Sequence, residues 1–143
     1  MMGIELKREN VVVDSDVRIT DRTQNHRIVL YGESTADIWQ ERKQAHISVC
    51  DNSIVHVKSF CDVYGINNSK VYAESTCRVY ANNECYVEGW DTSIIRLYNN
   101  AKAVLYDSSR CFNHGLGHVR TGDRSILHIN DESSADLFDS SIC

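Results

Sequence analysis

The sequence predicts an all-β fold, a parallel β-helix or β-solenoid of eight-residue rungs closed at one end by an N-terminal cap. Three observations predict it. From Ala45 to Ser140 the chain divides into twelve consecutive blocks of eight without insertion or deletion. The third place of every block is apolar, running from Ile47, Val55 and Val63 to Val119, Leu127 and Ala135. With 42% hydrophobic residues, twelve such matches in succession have a chance of about 3 in 100,000. The 143 residues also contain no proline, which suits a chain whose backbone donors are committed to sheet ladders.

Each place in the block carries a separate steric demand. The first is always small: Ala45, Ser53, Cys61, Ser69, Cys77, Cys85 and so on to Ser133. The seventh holds Asp51, Ser59, Asn67, Ser75, Asn83, Asp91, Asn99, Asp107, Gly115, Asp123, Asp131 and Asp139, residues that bond their own backbone or accept φ > 0, so it is a corner. First, third and fifth places therefore face one way along a short strand, and the chain turns at the seventh and eighth. A helix fails on period, because eight residues advance about 80° around an α-helix and the apolar positions would spread over its surface.

The fifth place predicts a core that narrows in the middle. It runs Val49 and Val57, then Gly65, Ala73, Ala81 and Gly89, then Leu97 and Leu105. Asn113 and Thr121 interrupt the apolar series before Ile129 and Leu137 resume it, which predicts a local irregularity or stacked polar groups between Cys111 and Gly122. Upstream, one block carries His26, Ile28, Leu30 and Gly32 and the next Ser34, Ala36, Ile38 and Gln40, before the extra residues Arg42 to Gln44 break register. Val11–Val13 and Val17–Ile19 are strand-like but out of phase. Residues 1–25 are therefore expected to be the cap and 26–143 the octad solenoid, within a single domain.

Period eight leaves the cross-section open. Two rungs of a flattened coil would stack Cys61 on Cys77, three rungs of a triangular coil would stack Cys61 on Cys85, and three chains wound together form a further option. The small corners and the one-residue-thick core lean towards the triangle. Val63-Tyr64-Gly65 and Val87-Glu88-Gly89 resemble the V-x-G octads of phage baseplate spikes, which are intertwined trimers; Ala73 and Ala81 depart from that pattern, as do the later leucines. Ser69-Lys70-Val71-Tyr72-Ala73 and its neighbours resemble octad arrays in proteins of gut bacteria and their phages. The resemblance spans roughly the last two thirds of the chain and implies fold, not activity.

Composition and motifs favour a binding or scaffold protein over an enzyme. No H-E-x-x-H or C-x-x-C occurs, and His114 and His118, four apart on a strand, are not brought together as they would be on a helix. No cofactor, metal site or catalytic residue is expected. Cys61, Cys77, Cys85 and Cys111 occupy inward places, where a thiol packs as a small hydrophobe. The net charge of -5 argues against direct nucleic-acid binding. No run of 18 apolar residues and no signal-peptide pattern appears, so a cytoplasmic protein off the membrane is expected.

The outward places supply the candidate partner face: Tyr64, Tyr72 and Tyr80 at the fourth, Trp90, Tyr98 and Tyr106 at the sixth. The last strand stops at Ser141-Ile142-Cys143, which predicts a homodimer through Leu137, Phe138, Ile142 and Cys143, or a trimer if the chain is spike-like. The plan is similar to small acidic pentapeptide-repeat solenoids, some of which mimic nucleic acid. That similarity implies a phage or mobile-element inhibitor of a host nucleic-acid-handling or defence complex, in the manner of an anti-CRISPR protein. The competing expectation is a structural spike, fibre or adhesion module.

Overall fold

The computed structural model describes residues 2–3, 9–20, 27–130 and 132–143. They form fifteen strands and, among the described residues, no helix: β1 (Met2–Gly3), β2 (Glu9–Val13), β3 (Asp16–Thr20), β4 (Arg27–Tyr31), β5 (Thr35–Val49), β6 (Ile54–Gly65), β7 (Lys70–Glu74), β8 (Arg78–Ala81), β9 (Tyr86–Gly89), β10 (Ile94–Leu97), β11 (Lys102–Leu105), β12 (Arg110–Asn113), β13 (His118–Thr121), β14 (Ile126–Ile129) and β15 (Ser134–Leu137). All pair in parallel, in a β-solenoid of about seven turns.

The coil has two sides, not three. β6 spans two rungs and pairs with both β7 and β8, and from β7 onwards each strand pairs with the strand two further along the chain; partners stand sixteen residues apart, as in Val63↔Val79, Val79↔Ile95 and Ile95↔Cys111. Sheet I stacks β2, β4, the end of β5, the end of β6, β8, β10, β12 and β14. Sheet II stacks β1, β3, the start of β5, the start of β6, β7, β9, β11, β13 and β15. The expected lean towards a triangle is therefore corrected. Cys61 lies on Cys77 with Sγ atoms 3.2 Å apart, and each coil closes within one chain rather than among three. A flat coil suffices because third-place side chains of the two sheets meet across a single layer, so a third wall would leave a void.

The alternation follows the predicted code. First-, third- and fifth-place residues from Ala45 to Leu127 are buried, while even places are partly or fully exposed, Asp62 excepted. Corners form where the N–H of the first place reaches the carbonyl of the preceding sixth place, as from Ser109 to Tyr106 at 3.3 Å and from Ser125 to Gly122 at 3.2 Å. The seventh place then sits in the left-handed region: Asn67, Asn83, Asp91, Asn99, Asp107 and Asp123 all have φ between 53° and 62°. This explains their chemistry, since Asn and Asp tolerate that region best after glycine. First-place serines complete the turn by donating back to the sixth-place carbonyl, at 2.8 Å for Ser109 and 2.6 Å for Ser125.

The mid-chain taper is size compensation between coils. A Cβ on Gly65 would overlap the Cys85 sulfur, and one on Gly89 would overlap Ile95 Cδ1 and Ser93 Oγ. Where the first place carries sulfur, the fifth shrinks to Gly or Ala. Ile129 and Leu137, expected to resume the core, lie in the last coil of the chain and are 39% and 46% exposed.

Upstream of β6 the coils vary in length, and β1–β3 partners stand fifteen apart. β2–β4 partners stand eighteen apart and β3–β5 and β4–β5 partners nineteen apart. The extra residues predicted at 42–44 are absorbed in β5, where the register against β6 shifts between Gln40 and Ala45. The segment expected as a cap supplies, in its described residues, β1 to β3, which pair in parallel with β3 to β5 and so form the first coils of the stack. His26 and Asp131 lie outside the described residues.

Candidate interaction faces

Two-sidedness divides the six predicted aromatics. Successive blocks belong to opposite sheets, so Tyr64, Tyr80 and Tyr98 project from sheet I, and Tyr72, Trp90 and Tyr106 from sheet II. They form two columns on opposite sides of the molecule, not one face, because the chain turns through half a circle at each corner.

On sheet I the fourth places make a continuous column. Tyr64 stacks on Tyr80 at 5.0 Å and 11°, and the Arg96 guanidinium lies 5.4 Å from both Tyr80 and Phe112. Phe112 stacks in turn on His128 at 4.9 Å and 7°. Beside it Tyr98 stacks on His114 at 5.5 Å. The flanking second place holds Asp62, buried and gripped by Arg78 through two bonds of 2.6 and 3.0 Å. Arg96, Phe112, His114 and His128 escaped the eight-residue pattern. Comparing positions sixteen apart finds each of them.

Sheet II carries His56 on Tyr72 at 4.5 Å, a diagonal step from Tyr72 to Trp90 at 6.3 Å, and Trp90 on Tyr106 at 5.3 Å. Its charges alternate and pair, as in Lys58 with Glu74 at 3.1 Å and His118 with Asp136 at 3.1 Å. In both columns each ring covers the face of the next, so ring edges are what a partner meets. A stacked pair or cation–π contact contributes roughly 0.5–1.5 kcal/mol, which gives the columns a stabilising role as well.

The tertiary structure also separates charge. From Ala45 onwards sheet I presents Arg78, Arg96 and Arg110 against the one carboxylate of Asp62, although the whole chain is acidic. The acidic residues collect at the corners. After sheet II, Asp91, Asp107, Asp123 and Asp139 form a column in which carboxylates accept N–H bonds from the coil before: Asp91 Oδ2 from Ser75, Asp107 Oδ2 from Asp91 and Asp123 Oδ2 from Asp107, at 2.9–3.2 Å. After sheet I, Asp51, Asn67, Asn83 and Asn99 form a side-chain ladder linked at 3.1–3.3 Å.

The inward thiols of Cys85 and Cys111 are protonated at ordinary pH. Burial pushes Cys85 up to about 11, opposed by the Ser69 hydroxyl at 3.4 Å, and burial alone raises Cys111. Burial, then the bond its hydroxyl makes to Glu88 at 2.8 Å, raises Tyr86. His114 and His118 face opposite sides, the first on Tyr98 and the second on Ser134 and Asp136. Among the described residues no three His, Cys, Asp or Glu gather as a metal would need. The predicted oligomerisation residues are exposed, Leu137 by 46%, Phe138 by 49% and Ile142 by 62%, with Cys143 also exposed.

No family model, curated protein or solved structure matches the chain. The class is therefore set by its own geometry: a single-chain, two-sheet parallel β-solenoid with an aromatic–arginine column on one sheet and acidic corners beside it.

Proposed function

We propose that this chain is a non-enzymatic solenoid that docks on a protein through sheet I, and that its partner is a host nucleic-acid-handling complex which it inhibits. The observation that carries the reading is the column Tyr64–Tyr80–Arg96–Phe112–His128. Tyr and Arg dominate binding hot spots, and side chains already locked by stacking lose little entropy when a partner arrives.

Size brings in the corners. Six coils of sheet I from His46 to Ile126 make a face about 24 Å by 20 Å, short of the roughly 800 Å² per partner of a stable complex. The footprint must then extend over the acidic rims, which favours a partner with an apolar centre and a basic surround. Nucleic-acid-handling proteins have such surrounds.

The test is capture from host extract with wild-type protein, Arg110→Glu, Tyr98→Ala and the sheet II control Lys102→Glu. The expected result is one partner lost with either sheet I change and kept with the control. Loss with the control alone, or capture of nothing, overturns the reading.

A second copy is the occupant proposed for the apolar patch of Leu137, Phe138 and Ile142. Head-to-tail stacking would set a sixteen-residue repeat on first pairings of fifteen and eighteen, whereas a two-fold axis matches like with like. Light scattering of wild type and Phe138→Asp should give dimer and monomer; a trimer favours the spike reading instead.

A further inference from the structure

The corner between β12 and β13 breaks the rule that all neighbouring corners obey. Gly115 holds the seventh place, yet its φ is not left-handed, unlike Asn99 and Asp123 at 53° and 56°. Its glycine serves close approach: a Cβ on Gly115 would strike the Asn99 backbone, and one on Gly117 the Ala101 carbonyl. Leu116 N–H still makes the bond of an ordinary corner, to the Asn99 carbonyl at 2.7 Å, as Ser108 does to Asp91 and Arg124 to Asp107, so the departure lies in the Gly115 backbone packed against the preceding coil. Buried Asn113 secures it from inside, donating to Gly117 O at 2.7 Å and accepting from Gly115 N–H at 3.1 Å. An apolar fifth place and an ordinary corner would serve stability better, and departures of this kind mark function.

Beside this corner lies a groove of about 1020 Å³ lined by Asn83, Glu84, Asn99, Leu116, Asn130 and Glu132, among others, with no Lys or Arg among these lining residues. The amide ladder runs into it with a fixed polarity. Asn67, Asn83 and Asn99 each donate Nδ2–H to the oxygen of the residue below, ending at the Asp51 carboxylate. The open end is therefore an acceptor, Asn99 Oδ1, and the next rung is Gly115, which has no side chain to donate. Leu116, 58% exposed, offers an apolar strip beside it.

We propose that this groove binds a cationic chain, ammonium or guanidinium groups on an aliphatic stem: one cation donates to Asn99 Oδ1 on the Glu84 side, the stem lies along Leu116, and Glu132, three coils from Glu84, attracts the chain's other end. Such a group reaches the groove on a free polyamine or on a basic side chain of a protein. The site lies on the rim beside the sheet I column, where His114 lines it, so a basic side chain of the docked protein is one source of the cation, and small probes test the groove without that partner.

The experiment is a titration of ¹⁵N-labelled protein with spermidine and, separately, with a blocked di-arginine peptide at low salt. Shifts confined to residues 83–84, 99–100, 114–116 and 129–132 are expected with at least one probe. Peptide alone identifies a protein side chain, spermidine alone a polyamine, and both support the shared chemistry. Glu84→Gln with Glu132→Gln should weaken binding at least fivefold and Asn99→Ala severalfold, with Asp139→Asn without effect. All these changes are at exposed positions, and an unchanged spectrum elsewhere verifies the fold. The proposal is overturned if neither probe binds, if the Gln variant binds as wild type does, or if a neutral disaccharide shifts these residues while the cations do not.

Discussion

The two-sided coil makes a quantitative demand on the pair Gly65 and Cys85, which touch only because twenty residues of chain bring them to facing walls of the same core. A Cβ at Gly65 would sit against the Cys85 sulfur far inside the roughly 3.5–4.0 Å of an optimal contact. Both residues are fully enclosed, so Gly65→Ala is an overpacking change expected to cost about 1–3 kcal/mol. Cys85→Ala removes one heavy atom from the same place and should cost about 1 kcal/mol in transfer and cavity terms. Together the new methyl fills the space left by the sulfur. The double variant should stand within about 0.5 kcal/mol of wild type, a coupling of roughly 1.5–3 kcal/mol. Urea unfolding followed by Trp39 and Trp90 fluorescence supplies the numbers. Additivity within about 0.5 kcal/mol would refute the facing-wall packing and with it the account of the taper.

Other predictions rest on single contacts. Ser93 Oγ is buried with no hydrogen-bond partner, so Ser93→Ala should be neutral or stabilising, whereas Ser109→Ala, which loses a 2.8 Å bond to Tyr106 O, should cost about 1 kcal/mol; thermal melts compare them. Arg96→Ala should cost about 1–2 kcal/mol by removing contacts with both Tyr80 and Phe112, and Arg96→Lys should recover only part, read from urea midpoints. Cys85 has its folded pKa raised to about 11, so its contribution is intact below the ordinary thiol value near 9 and is lost as pH rises through 11. Cys111 and Tyr86 shift the same way. Urea stability should therefore fall between pH 9 and 11, and less steeply in Cys111→Ala; an equal slope in that variant would contradict the burial of its thiol.

Much of the solenoid was legible because the rung is a local object. Alternation along a strand is fixed by the pleat, and the φ > 0 of a corner selects Asn, Asp or Ser at one place, so inside, outside and turn could be read residue by residue. The number of sides was not legible at period eight, since like falls on like whether coils repeat at sixteen or twenty-four. The distinguishing signal lay in pairs such as Asp62 with Arg78, Lys58 with Glu74 and Tyr64 with Tyr80, all sixteen apart. The candidate site suffered most from this. Six aromatics expected on one face divide between two, and Arg96, which binds the sheet I column together, appears in no pattern of eight.

By itself, then, the sequence determined the rung, the burial of its odd places and the positions of its corners, because each follows from the sterics of a few adjacent residues. Only the tertiary structure decided the flat cross-section, the arginine-bearing face between acidic edges and the close packing of Gly115 on the coil before it. Those depend on which coil lies against which, and parallel pairing across sixteen residues is settled by long-range packing that no single block contains.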